Sequence, residues 1–191
     1  MSQRDHPVVS VALHRFTIAD YHRLAPVLAG RRTELVDGLL IDMAAIGSRH
    51  LAVVTRLQSQ LDRFNREERL LIQQPVQIPD FDEPQPDLAI LAAPLGLRLP
   101  QPADVQLLVE VADSSYGHDR DTKLRRYRAA GIARVWIVDI RDGRRPRLEA
   151  WTPNGMERAV HGGRVEVGDS TSVDLDRVFV GLERLASDPE P

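Results

Sequence analysis

Hydrophobic and polar positions change period several times along the chain. In "SRHLAVVTRLQSQLDRFNREER" the apolar Leu51, Val54, Leu57, Leu61 and Phe64 recur every three or four residues, which predicts an amphipathic helix with Ser48 as its cap. Upstream, "FTIADYHRLAPVLAG" predicts a short helix from Thr17 as N-cap, with Asp20 three residues on and Gly30 as terminator. Between them "RRTELVDGLLIDM" places two short apolar runs around Asp37-Gly38, a hairpin signal.

After the long helix the pattern turns to strands: "LLIQQPVQI", "PDLAILA" and "VQLLVEVA", separated by proline-rich connections. A helix over "DRDTKLRRYRAAG" then leads into "ARVWIVDI", an almost unbroken apolar run of the kind a central, doubly covered strand needs. "RPRLEAWT" and "RVEVG" predict edge strands, and "LDRVF" a short terminal helix. The order predicts an α/β domain, with one mixed central β-sheet flanked by α-helices. Residues 1–14 read as an N-terminal extension, 15–185 as a single domain and 186–191 as a flexible tail.

Composition narrows the chemistry. A chain of 191 residues with 42% hydrophobic residues suits one sizeable core. With no cysteine, disulfides and thiolate metal sites are excluded, and any metal must sit on Asp, Glu, His or backbone oxygens. No apolar run approaches the ~20 residues of a membrane span, so a cytoplasmic protein with no membrane partner is expected. The net charge of −3 offers no global attraction to nucleic acid, so phosphate binding needs a local basic face. Arg125, Arg126 and Arg128, and Arg141, Arg144, Arg145 and Arg147, read either as such a face or as solvated surface.

Two carboxylates stand in apolar surroundings. Asp87 opens "PDLAILA", where it reads as a turn cap or a ligand. Glu110 lies within "LLVEVA", where an ionised carboxylate is costly unless it is paired, bound to metal or aimed at a cavity; the other reading is an exposed face of an edge strand. Lys123 is a third oddity, the only lysine among 25 Lys and Arg residues. On a helix it shares a face with Asp119 and Tyr127. An arginine would serve an ordinary surface ion pair equally well, whereas a compact ammonium suits catalysis or a metal site. Tyr127 and Trp136 also read as packing residues, Asp139 as a turn residue, and the remaining histidines have no zinc-site spacing.

Taken in order, "QPDLAIL", "LLVEVADSS" and "DRDTKLRRYRAAGIARVWIVD" resemble the "putative restriction endonuclease" family of the PD-(D/E)xK nuclease superfamily. That family shows Pro-Asp before a strand, a Glu-Val pair, Asp-x-x-x-Lys and a Tyr on the next helix, then a strand of the form Gly-Val-x-x-Tyr-Trp-x-x-Asp. "RTELVDGLL" and "SRHLAVVTRLQSQL" resemble its upstream hairpin and helix, so the likeness spans roughly residues 15 to 155. It implies a restriction-endonuclease-like core, with Asp87 and Glu110 as catalytic, metal-binding acids and Lys123 as catalytic lysine. Glu34, His50, Asp119 and Tyr127 would be additional site residues. The usual superfamily lysine lies two residues after the glutamate; that position is Ala112, and the lysine has moved to the following helix.

The resemblance implies a Mg²⁺-dependent endonuclease, with Mn²⁺ as a substitute, that hydrolyses DNA phosphodiester bonds with a metal-activated water. Homodimerisation would suit cleavage of both strands. The alternative is a catalytically inactive nuclease-fold module that binds nucleic acid or protein. A Schiff-base enzyme built on Lys123 is a third reading, which leaves Asp87 and Glu110 without roles.

Overall fold

The computed structural model describes residues 13–186; the expected extension and tail lie almost wholly outside them. Helix α1 (Ile18–Leu24) starts at Thr17, whose hydroxyl accepts from the Asp20 N–H while the Asp20 carboxylate accepts from the Thr17 N–H. It ends six residues before the expected Gly30. Pro26 has no N–H to return to the His22 carbonyl, and the chain breaks into turns that close at Arg31.

Strands β1 (Thr33–Val36) and β2 (Leu39–Asp42) make the hairpin, with Val36 paired to Leu39 and a two-residue turn. Asp37 and Gly38 both take positive φ, 53° and 73°, as a type I′ turn requires. A Cβ on Gly38 would lie 2.6 Å from the Arg15 Cβ. Gly38→Ala is therefore expected to cost at least about 1 kcal/mol, read as a lower urea midpoint at unchanged slope.

Helix α2 (Ser48–Gln60) and the short α3 (Asp62–Arg66) bury His50, Val53, Val54, Leu57, Leu61 and Phe64. Leu51, expected on this face, is 58% exposed, because the apolar stripe starts from His50 instead. Ser48 is not the cap either. Gly47 holds that position, and the Ser48 hydroxyl donates to the Ala186 carbonyl.

The central sheet has six strands in the order β3 (Leu70–Ile72), β4 (Leu88–Leu91), β5 (Val105–Ala112), β6 (Val135–Asp139), β7 (Arg147–Thr152) and β8 (Gly155–Val160). Only β5 and β6 are parallel; the other neighbours are antiparallel. Parallel neighbours need a crossover. Here it is the π-helical turn His118–Lys123 running into α4 (Leu124–Ala129). Strand β7, expected at an edge, lies inside the sheet. The edge is β8, whose residues 156–159 are exposed and therefore carry no alternating apolar signal.

Alternation along β5 divides the core between the two faces of the sheet. Leu107, Val109 and Val111 pack with α2, α3, Trp136 and the C-terminal pair β9 (Arg164–Gly168) and β10 (Thr171–Asp174), followed by α5 (Leu175–Phe179). Leu108 and Ala112 face the other way, against Leu124, Tyr127 and Ile132. Glu110 shares this second face, directly under the crossover. Among the described residues no helix is long and apolar enough to cross a membrane.

Candidate active site

The sheet brings the strand acids to adjacent positions. Asp87 directly precedes β4, Leu88 pairs with Val109, and the Val111 N–H donates to Asp87 Oδ2 at 2.8 Å. Asp87 Oδ1 lies 2.8 Å from His50 Nε2 and accepts from Gln73 Nε2 at 3.4 Å. His50 thus reaches the site from the buried stripe of α2. Gln73 follows β3 with φ 49°, a left-handed residue that ends the strand earlier than its sequence suggests.

Lys123 descends onto Glu110 from the crossover. The Leu124 N–H reaches back five residues to the Asp119 carbonyl, giving a turn wider than an α-helical one; such π-turns occur frequently at functional sites. Lys123 is 3% exposed, and its Nζ lies 2.8 Å from Glu110 Oε1, 3.1 Å from Glu34 Oε2 and 3.8 Å from Asp119 Oδ1. Tyr127, one turn further on, donates to Glu110 Oε1 at 2.6 Å. Glu110 is also 3% exposed, which removes the edge-strand reading. Glu34 comes from β1 of the hairpin and accepts the Gln85 N–H at 3.0 Å. Glu34, His50, Asp87, Glu110, Asp119 and Lys123 all line one cavity of about 340 Å³.

Burial pushes the Glu110 carboxyl up to about 8; the Lys123 ammonium opposes the rise, and the charges of Asp119, Asp87 and Glu34 add to it. For Glu34 burial also opposes ionisation, but Lys123, His118 and the Gln85 N–H hold it down to about 2. Burial likewise raises Asp119, against the Lys123 charge and a 2.6 Å hydrogen bond from Ser115. Burial works against the Lys123 ammonium, yet Glu110, Tyr127, Glu34 and Asp119 outweigh it and lift Lys123 well above its ordinary value. Burial raises Tyr127 in the same way, so it remains a donor. At neutral pH Lys123 is a held cation, poorly suited to the neutral amine a Schiff base needs.

Among the described residues no three His, Asp or Glu side chains form a ready cage for a cation. Mg²⁺ does not require one: it takes one or two carboxylates and keeps several waters. The hard oxygens of Asp87 and Glu110 at one cavity fit that demand. Among the described residues Lys123 and Tyr127 both reach Glu110 at Oε1.

Four further residues support the cluster: Gln73, Gln85, Ser115 and His118, whose Nε2 lies 3.4 Å from Glu34 Oε1. None carries a sequence signal beyond proximity to a marked residue. Gln85 lies two positions before Asp87, and His118 one before Asp119. Trp136 is core, and Asp139 pairs with Arg141 and Arg147. Several clustered arginines have internal partners. Arg126 binds the fully buried Asp82, and Arg128 donates to the Thr152 and Pro153 carbonyls.

The fold resembles a crystal structure from Anabaena variabilis ATCC 29413 titled a "putative nuclease belonging to DUF820", with TM-score 0.67 and 13% identity, over 87% of this chain and 99% of that one. No curated protein matches the chain. A family model, Uma2, described as "Putative restriction endonuclease", matches residues 18–186. That match takes in the hairpin, the strand acids and the crossover lysine, and the chain belongs to the Uma2 family.

Proposed function

We propose that the chain is a metal-dependent endonuclease that hydrolyses DNA phosphodiester bonds, with Asp87 and Glu110 holding Mg²⁺ or Mn²⁺ and Lys123 acting on the scissile phosphate. The observation that carries this reading is the contact of the only lysine with Glu110 and Glu34 in the cavity that also holds Asp87. The bound cation would supply Lewis-acid polarisation of the phosphate and a more acidic water.

The protein's own groups do the rest. His50, Gln73 and the Val111 N–H fix both oxygens of Asp87, so it presents a set geometry. Tyr127 orients Glu110. Lys123, held charged by its acidic neighbours, offers an ammonium to the negative charge that develops on the phosphoryl oxygens. Glu34 and Asp119 keep that ammonium from swinging away.

Covalently closed circular DNA, single-stranded and supercoiled, tests the reading. With Mg²⁺ or Mn²⁺ the purified protein is expected to open the circles, and with EDTA to leave them intact. Failure to open either form with any divalent cation would favour a silent binding module.

Proton release adds a check on where the cation sits. With Glu110 raised to about 8, a cation must displace its proton below that pH. Affinity for Mn²⁺ should therefore rise with pH towards about 8 and level off above it. Calorimetry in buffers of different ionisation enthalpy should count about one proton released near pH 7 and none well above 8. Release unaffected by Glu110→Gln would remove Glu110 from the metal's ligands.

A further inference from the structure

The cavity that holds the acids also has an apolar wall. Ile41 on β2 and Met43, Ala44, Ala45 and Ile46 in the segment leading to α2 contribute it, interrupted by Asp42, which pairs with Arg31. Ile46 is 38% exposed, and Ala45 is exposed beside it. A site that handled only a phosphodiester would have little use for aliphatic surface. Among the described residues Arg32 is the only arginine on the lining.

We propose that this wall receives a nucleobase from an unstacked strand, so that single-stranded or frayed DNA, rather than intact duplex, is the substrate. The inference rests on the nuclease reading above. A duplex keeps its bases stacked inside and offers a protein phosphate and sugar, which attract cationic surface. Of the lining's cations Lys123 is already matched by Glu34 and Glu110, and the chain as a whole carries a net charge of −3. An extruded base instead presents a flat apolar face, and pockets for such bases are built from aromatic or apolar side chains. Methionine adapts to such a face. The cavity volume falls at the small-molecule end of binding sites, a nucleotide-sized space. The phosphodiester must also reach groups that are only 3% exposed, which a strand free to bend does more easily than a stacked rod.

The test separates base from phosphate. An oligothymidylate and an abasic deoxyribose-phosphate chain of equal length and charge are bound to the full chain by anisotropy, with Ca²⁺ as the cation. The oligothymidylate is expected to bind about tenfold more tightly, because the abasic chain has no base face to bury against the wall. A charge-neutral Met43→Ser/Ile46→Ser variant should erase that ratio while leaving abasic binding in place. If the double variant melts early, Ile46→Ser alone, at an exposed position, should still narrow the ratio. Equal binding of the two chains, or a ratio that survives the variants, overturns the proposal. Equal binding with concentration-dependent dimerisation that the variants abolish would also overturn it and assign the wall to a second copy. Cleavage is scored separately. A base-dependent ratio without cleavage leaves the wall standing and sinks the nuclease reading; cleavage with no base dependence does the reverse.

Discussion

Lys123→Arg is expected to lower metal-dependent opening of circular DNA by about 10²–10³-fold, the usual cost of removing a positioned group that stabilises transition-state charge. Positive charge is retained, so a site that needed only a cation would be unaffected. The proposed role needs a compact one. Lys123 is enclosed by Glu110, Glu34, Asp119 and Tyr127, with almost no exposure, and a planar guanidinium cannot occupy that space in the same geometry. Overpacking should also cost about 1–3 kcal/mol, so the melting temperature is measured beside the rate. A folded Lys123→Arg protein that cuts at the wild-type rate would refute the role given to the lysine.

Glu110→Gln is expected to separate activity from stability. Cleavage should fall by at least about 10²-fold, because the neutral amide is a poorer ligand for a hard cation. Folding should not suffer in proportion. The Glu110 carboxyl is raised to about 8 in the folded chain, against an ordinary value of 4.5, so the folded state binds its proton more tightly than the unfolded chain does. Its contribution to stability is fully present below pH 4.5 and is lost as pH rises through about 8. Glutamine never ionises, and Lys123 keeps Glu34 as its partner. The variant should therefore match the wild type near pH 4, pull ahead of it as pH rises from 4.5 towards about 8, and melt at a higher temperature near pH 9. Urea or thermal melts at the two pH values check this, and a variant less stable at both would contradict it. The site's acid would then be a stabilising partner rather than a group that costs stability for function.

The central strands and the lysine were legible because each obeyed a single rule. "VQLLVEVA" and "VWIVD" are continuous apolar runs and form buried β5 and β6. Asp37-Gly38 permits the two positive φ angles of its turn, and a lone lysine among arginines is conspicuous. Features fixed by tertiary contact were not legible. Leu51 was expected inside because histidine is not counted as core, yet His50 takes the buried position through its bond to Asp87. The edge strand β8 lacks alternation because both of its faces are exposed. Gln73 and His118 join the site through backbone geometry, one by a left-handed φ and the other by the π-turn, and neither leaves a mark in residue type. The order of Asp87, Glu110 and Lys123 was readable from sequence. Their convergence on one cavity is visible only in three dimensions.

On the proposed mechanism Asp87, Glu110 and Lys123 work as one unit in cutting DNA. Rates of circle opening by the wild type, Lys123→Arg, Glu110→Gln and the double variant test it most directly, because groups that act together lose their effect together. The double variant is predicted to be no slower than about the worse of the two single variants. Losses that multiply, or a wild type that opens no circle with any divalent cation, would contradict the account.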